Sequence, residues 1–337
     1  MVKTTRRQFL QALTGSLLFS HLSVVSSKDS LPLIKPRQLR IGDRVGLISP
    51  AGNINQKNLL QVIEFLKACG FKVKVGKHVL DQYGYLAGRD ADRAADVNAM
   101  FSDNQIRAIL TLRGGWGCNR ILPMLDYDLI RRHPKIIMGF SDITSLLLGI
   151  YARSGLITFH APVGISTWNW FSLIYAQKIL LNKEAILFQN LTSYPIETIT
   201  PGKVKGRLLG GNLSVLTAMI GSPYLPSWKN TILFVEEVGE EIYRVDRMLT
   251  QLKMAGILEQ LAGFIFANCS NCSSEDDDEP TLTLRQVLSD QIAPLAIPAW
   301  YGSMIGHIQK QFIVPLGVEV EIDAERGTIL MLESAVL

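Results

Sequence analysis

From residue 39 onward, short apolar runs alternate with longer stretches of helical spacing. LRIGDRVGLISPAG reads as an apolar strand ending in a Ser-Pro-Ala-Gly turn, and NQKNLLQVIEFLKACG as a helix with a glycine stop. FKVKV predicts a short strand, GRDADRAADVNAMFSD a polar-faced helix, and IRAILTL a strand running into Arg113-Gly114-Gly115. NRILPMLDYDLIRRHP is helical but interrupted, because Pro123 breaks its period. KIIMGF is a strand, SDITSLLLGIYARSG a helix and LITFHAPVG another strand. Such alternation predicts a mostly parallel α/β sheet, with functional groups gathered at the carboxyl ends of its strands.

Between about 166 and 200 the rhythm lapses into one plausible helix and Pro-punctuated extended segments, which reads as a domain connection. The remainder mixes strands such as TILFV and GFIFANC with helices such as that around TLRQVLSDQIA, and VEVEID before Glu325-Arg326-Gly327 suggests a hairpin. At 337 residues with 47% hydrophobic side chains, the chain favours two cores over one. The expected architecture is α/β. A Rossmann-like or flavodoxin-like parallel-sheet domain spans 35–165, a linker 166–200, and a smaller, strand-rich mixed α+β domain 201–337.

The first thirty residues differ from the rest. Arg6 and Arg7 precede Phe9 and Leu10, and a weakly apolar stretch diluted by Ser, Thr and Gly follows, the layout of a twin-arginine export signal. The expected compartment is therefore the periplasm, with no stable membrane insertion after export. In that oxidising setting Cys69 and Cys118 read as buried thiols. Cys269 and Cys272 form a lone C-x-x-C in a polar loop, which suits a disulfide or two free thiols better than a zinc site lacking a second ligand pair. A net charge of +4 without a basic-aromatic block argues against nucleic acid as a partner and for a small molecule or short peptide. The acidic run at 275–279 reads as a solvated loop.

Ser141 stands where KIIMGF turns into a helix. A serine on such a turn is pushed outward, with the free amides of the helix start beside it, as a nucleophile requires. Ser and Asp are also favoured caps, and the usual G-x-S-x-G elbow is absent, so from this stretch alone a plain cap is the stronger reading. A serine nucleophile needs a base and an orienting acid. His78 and His133 read as surface residues, while His160, closing a strand, and His307, in a glycine-preceded loop, both remain candidates. Glu236 and Glu237 end the strand TILFV at the edge where such folds work, although these acids and Glu240, Glu241 and Asp246 also suit a helix start paired with Arg244 or Arg247. Arg113-Gly114-Gly115-Trp116-Gly117 could bring backbone amides to an anion, but it lacks a dinucleotide fingerprint.

LTLRGGWGCNRILPMLDYDLI, PKIIMGFSDITSLL, LLGGNLSVLTAMIGSPYLP, ILFVEEVGEEIYRVDRMLTQLKMAGIL and IGHIQKQFIVPLGVEVEID resemble, in this order, successive blocks of the LD-carboxypeptidases. These are serine peptidases that trim murein tetrapeptides, related to microcin self-immunity peptidases. The resemblance runs from about 39 to 332 and implies a role for each matched position. It makes Ser141 the nucleophile, His307 the base and Glu236 its orienting acid, with backbone amides of Asp142 and Gly115 as the oxyanion hole. Glu237 stands where relatives commonly have Asp. The resemblance implies an acyl-enzyme route with no metal and no organic cofactor. Arg113, with Gly114 beside it, is the candidate for the substrate's terminal carboxylate. The implied partner is a murein tetrapeptide or related small peptide, and homodimerisation stays open. The family's usual members are cytoplasmic, so the export signal is a departure. Two alternatives stand beside this reading: a self-immunity type peptidase acting on another peptide or a peptidyl-nucleotide, and a muropeptide-binding module without turnover.

Overall fold

The computed structural model describes residues 31–273 and 280–337, so the export-signal reading at 1–30 and the acidic run at 275–279 lie outside it. The alternation forms β1 (Arg44–Ile48), β2 (Lys72–Val75), β3 (Ile106–Thr111), β4 (Ile136–Gly139) and β5 (Thr158–His160), parallel and ordered β2-β1-β3-β4-β5. Every residue of IIMG is buried, as expected for strands covered on both faces. The strand order reverses between β1 and β3, and ligands of such sheets bind outside the carboxyl ends at that point. Here the two following loops meet: Gly52 N donates to Gly114 O at 3.0 Å.

The second sheet contains β6 (Leu187–Phe188), β7 (Glu197–Thr200), β8 (Lys203–Asn212), β9 (Thr231–Val238), β10 (Leu261–Ser270) and β11 (Ala299–Tyr301). Between β11 and the last two strands of this sheet lies β12 (Val314–Leu316), which joins the first sheet instead, antiparallel to β5 with Val314 opposite His160. β13 (Glu319–Asp323) and β14 (Thr328–Met331) complete the order β6-β14-β13-β8-β9-β10-β11-β7. With eight strands against six in the first sheet, this mixed sheet has the strand-rich character expected of the second half of the chain. Its centre is parallel, β8-β9-β10-β11, so its functional edge is again a set of strand carboxyl ends. Phe234, Phe264, Phe266 and Trp300 are fully buried on these strands, each stabilising the fold by about 1.5–3 kcal/mol.

β13 and β14 form the expected hairpin, with Asp323 Oδ1 accepting from the Glu325 and Arg326 amides at 3.1 and 3.2 Å. The stretch 166–200 differs from a plain linker. It carries helix Trp170–Ala176, a π turn at Gln177–Leu181, and the edge strands β6 and β7. Strands of two and four residues are too short to show alternation, and their partners β14 and β11 lie about 140 and about 100 residues away in the chain. Residues 31–337 form one compact unit. One link between the sheets is direct: Asn212 N, at the end of β8, donates to Thr144 Oγ1 at 2.9 Å in the first turn of helix Ile143–Ser154.

Candidate active site

Ser141 follows β4 with φ +64°, a left-handed conformation that costs a non-glycine residue about 1–3 kcal/mol. The strain turns the chain sharply between strand and helix. The capping alternative is corrected here, because helix Ile143–Ser154 has Asp142 at its N-cap with no side-chain cap hydrogen bond. The Asp142 carboxylate turns away and accepts from Cys118 N at 2.8 Å, tying the turn at Ser141 to the R-G-G-W-G loop. Burial raises the Asp142 pKa against the lowering effect of that Cys118 amide. Among the described residues, Ser141 Oγ and the amides of Gly115 and Asp142 have no protein hydrogen-bond partner. Unengaged amides and a partly exposed hydroxyl are the groups that an oxyanion site requires.

The loop is held against Ser141 by close contact. A Cβ on Gly114 would lie 2.9 Å from Ser141 Cβ and 3.1 Å from Oγ, so glycine permits the approach. That packing makes Gly114 a neighbour of Ser141 and leaves it no side chain for a ligand. Arg113 is exposed, and Nη1 donates to Asn53 O at 3.0 Å, bracing the loop after β1 while its other donors have no partner among the described residues. The buried Arg93 braces the same region through Pro50 O and, at 3.0 Å, Gly117 O. Nothing in its polar-faced helix distinguishes Arg93 from a solvated arginine, so sequence reasoning missed it.

Glu236, fully buried at the end of β9, accepts from His307 Nδ1 at 2.6 Å. A carboxylate can only accept, so the proton lies on Nδ1 and the Nε2 lone pair is free for a proton from substrate or serine. Burial of His307 works against its charged form, but the hydrogen bond and charge of Glu236, helped by Glu237, outweigh it and raise the pKa above 6.5. Phe140, the residue before Ser141, packs on this imidazole with ring centroids 4.7 Å apart. No hydrogen bond joins Ser141 Oγ to the imidazole among the described residues. Such bonds often tighten only when substrate binds.

The loop geometry explains why Gly306 precedes His307. Its φ is +104°, and a Cβ there would lie 2.5 Å from Glu236 Oε2. Gly306→Ala should therefore displace the Glu236–His307 pair. It is expected to lower turnover by about a hundredfold and stability by about 1–3 kcal/mol, read by steady-state kinetics and denaturant titration. Wild-type turnover in that variant would separate the pair from catalysis.

The other candidates take different positions. His160 is fully buried, and neither ring nitrogen has a hydrogen-bond partner among the described residues. Burial lowers its pKa to about 4, partly offset by Glu236 and reinforced by His307. Of the two histidines that composition left open, only His307 has a carboxylate partner among the described residues. Glu237 accepts from Asn212 Nδ2, Ser214 N and Val238 N at 2.9, 2.8 and 3.0 Å, so it secures the start of helix Leu213–Thr217. Glu240 and Glu241 pair with Arg244 at 3.7 and 3.3 Å, the helix-start ion pairing weighed for them. Cys269 and Cys272 are disulfide-bonded, Cys118 is a buried thiol and Cys69 is half-buried. His78, Asp81 and Asp92 have ligand atoms within 4.8 Å of one another, but His78 Nδ1 is already hydrogen-bonded to Asp81 at 2.8 Å.

Residues 45–161 match the LD-carboxypeptidase N-terminal domain and residues 205–322 the LD-carboxypeptidase C-terminal domain. The probable murein peptide carboxypeptidase of Bacillus subtilis (strain 168) is 39% identical over 299 residues, spanning 87% of this chain and 93% of the relative. The murein tetrapeptide carboxypeptidase of Pseudomonas aeruginosa is 31% identical over 300 residues, spanning 85% of this chain and 95% of its own length. Among solved structures, the microcin C7 self-immunity protein MccF in complex with glutamyl sulfamoyl guanosine aligns with a TM-score of 0.82 at 28% identity, covering 90% of this chain and 99% of that one.

Proposed function

Because the chain belongs to the LD-carboxypeptidase family, we propose that it is a serine peptidase that removes the terminal D-Ala from murein tetrapeptides. The observation that carries this reading is the Glu236–His307 hydrogen bond, placed one aromatic ring away from a strained serine. In the proposed sequence, His307 Nε2 takes the Ser141 proton as Oγ attacks the scissile carbonyl. The Gly115 and Asp142 amides hold the oxyanion, a single such donor being worth about 3–4 kcal/mol. Glu236 stabilises the imidazolium, which then protonates the departing D-Ala amine. Water, activated by His307, hydrolyses the acyl-enzyme. Arg113 is the proposed contact for the terminal carboxylate.

Incubation with tri-, tetra- and pentapeptide murein fragments, with products weighed by mass spectrometry, tests this reading. Loss of a single alanine from the tetrapeptide alone is the expected result. No cleavage of any of the three would discard the murein reading. The similarity to MccF supports a second reading, a peptidase of peptidyl-nucleotides, which cleavage of an aminoacyl-nucleotide conjugate without tetrapeptide cleavage would select. The paired Arg6 and Arg7 support export, and the Cys269–Cys272 disulfide suits the oxidising periplasm. Fractionation of a cell expressing the full chain tests export.

The raised His307 pKa sets a pH dependence. A general base must be neutral, so kcat/KM is expected to fall as pH drops through a midpoint above about 6.5, the ordinary histidine value. The linked stability has the opposite sense. The ion pair's contribution is complete below about pH 6.5 and is lost as pH rises through the folded-state value. A pH–rate profile with its acid limb below that midpoint would show that Glu236 does not charge the base.

A further inference from the structure

The Cys269–Cys272 disulfide lies beside the candidate base. β10 ends at Cys269 and Ser270, which pair in parallel with Glu237 and Val238 of β9, the strand that carries Glu236. Gly239 N donates to Ser270 O at 2.9 Å, continuing that contact past the end of β9. Ser270 Oγ then reaches out of the strand to His307 O at 2.8 Å and lies 2.6 Å from Asn268 Oδ1. A hydroxyl has one hydrogen. With the Asn268 amide turned so that its Nδ2 faces Oγ, Asn268 donates to Ser270 and Ser270 donates to His307, satisfying all three groups. The turn inside the disulfide ring passes through Asn271 at φ +55°, a left-handed residue that a cross-link helps to hold. Both cysteines also pack against the core.

His307 is thus held at three points. Glu236 takes Nδ1, Phe140 covers the ring, and Ser270 takes the backbone carbonyl. The mechanism above uses the first two only. We propose that Ser270 is a positioning residue for His307 and that the Cys269–Cys272 disulfide locks it in place, making turnover depend on the redox state of this cysteine pair. This rests on the reading of His307 as the base. Reduction by a dithiol balances simply: two electrons and two protons pass from the dithiol to the cystine, giving two cysteine thiols and the oxidised cyclic reductant. Exchange with a disulfide donor reverses it.

The test uses the full mature protein and dithiothreitol, with thiol titration rising from two free cysteines to four as proof of reduction. A misplacement of about 1 Å in a catalytic group costs about a hundredfold, so partial release of one restraint of three is expected to lower kcat about tenfold with KM unchanged. Ser270→Ala should give the same loss, Ser270→Thr should recover most of it, and dithiothreitol should add nothing to Ser270→Ala, because both act through one contact. Unchanged kcat after proven reduction overturns the disulfide lock, and losses that multiply between reduction and Ser270→Ala overturn the shared route. Should either serine variant fail to fold, the wild-type reduction experiment decides alone. An NMR titration of the His307 imidazole, before and after reduction, judges the brace without turnover: a shifted midpoint supports it and an unmoved one overturns it. If wild type and Ser141→Ala are equally inactive while the imidazole midpoint still moves, it is the peptidase reading that fails and not the brace.

Discussion

Ser141→Ala should fold as the wild type does and release D-Ala at least about 10⁵-fold more slowly, since loss of a triad nucleophile removes most of the rate enhancement. The fold should survive because Ser141 Oγ has no protein partner to lose among the described residues. A companion variant separates the hydroxyl from the backbone. Alanine at φ +64° remains as strained as serine, whereas glycine accepts that conformation freely. Ser141→Gly should be equally inactive yet more stable than Ser141→Ala by about 1 kcal/mol, a rise in Tm of roughly 2 °C. Calorimetry of the two variants beside a D-Ala release assay reads both effects. Substantial release by either variant would place the nucleophile elsewhere, and equal melting temperatures would mean the turn stores no strain.

Glu236→Gln should lower kcat by about 10³–10⁴-fold without unfolding the protein, and should move the acid limb of kcat/KM to lower pH. The reason lies in the two oxygens. Oε2 accepts the His307 Nδ1 proton, and Oε1 is buried without a partner among the described residues. An amide turned with oxygen toward His307 keeps the tautomer, but buries its NH₂ unsatisfied and forfeits the charge that stabilises imidazolium. Turned the other way, it forces the proton onto Nε2 and removes the lone pair that the base needs. Both orientations disable the base. The shift of the acid limb follows because Glu236 supplies most of what raises the His307 pKa against burial. A variant with a normal rate and an unmoved acid limb would leave Glu236 as core packing only.

Much of this arrangement was legible in the linear pattern. The β2-β1-β3-β4-β5 sheet follows from short apolar runs that alternate regularly with longer stretches of helical spacing. β12 was not legible, because three residues of VPL carry no period and their partner, β5, is some 150 residues away in the chain, a distance that only folding closes. Ser141 was ambiguous because serine serves as cap and as nucleophile with the same neighbours. Its left-handed backbone angle, which no neighbour in the sequence announces, accompanies the packing of the R-G-G-W-G loop through Gly114 and the Asp142–Cys118 contact. Glu236 and Glu237 are adjacent and chemically alike. Their alternation in β9 sends one to His307 and the other to Asn212 and Ser214, and no rule of composition chooses which.

By itself the sequence determined the alternating architecture, the turn after KIIMGF, the terminal hairpin and the five ordered blocks that mark the family. These are local properties, set by side-chain period and by residues close together in the chain. Tertiary structure alone decided that His307, 71 residues beyond Glu236, shares a hydrogen bond with it, that Phe140 lies on its ring, and that His160 is buried without a hydrogen-bond partner among the described residues. It also decided that Cys269 and Cys272 are joined beside Ser270, whose hydroxyl reaches the carbonyl of His307. Each of these depends on which strand ends converge at the edges of two sheets, and sequence spacing does not measure that distance.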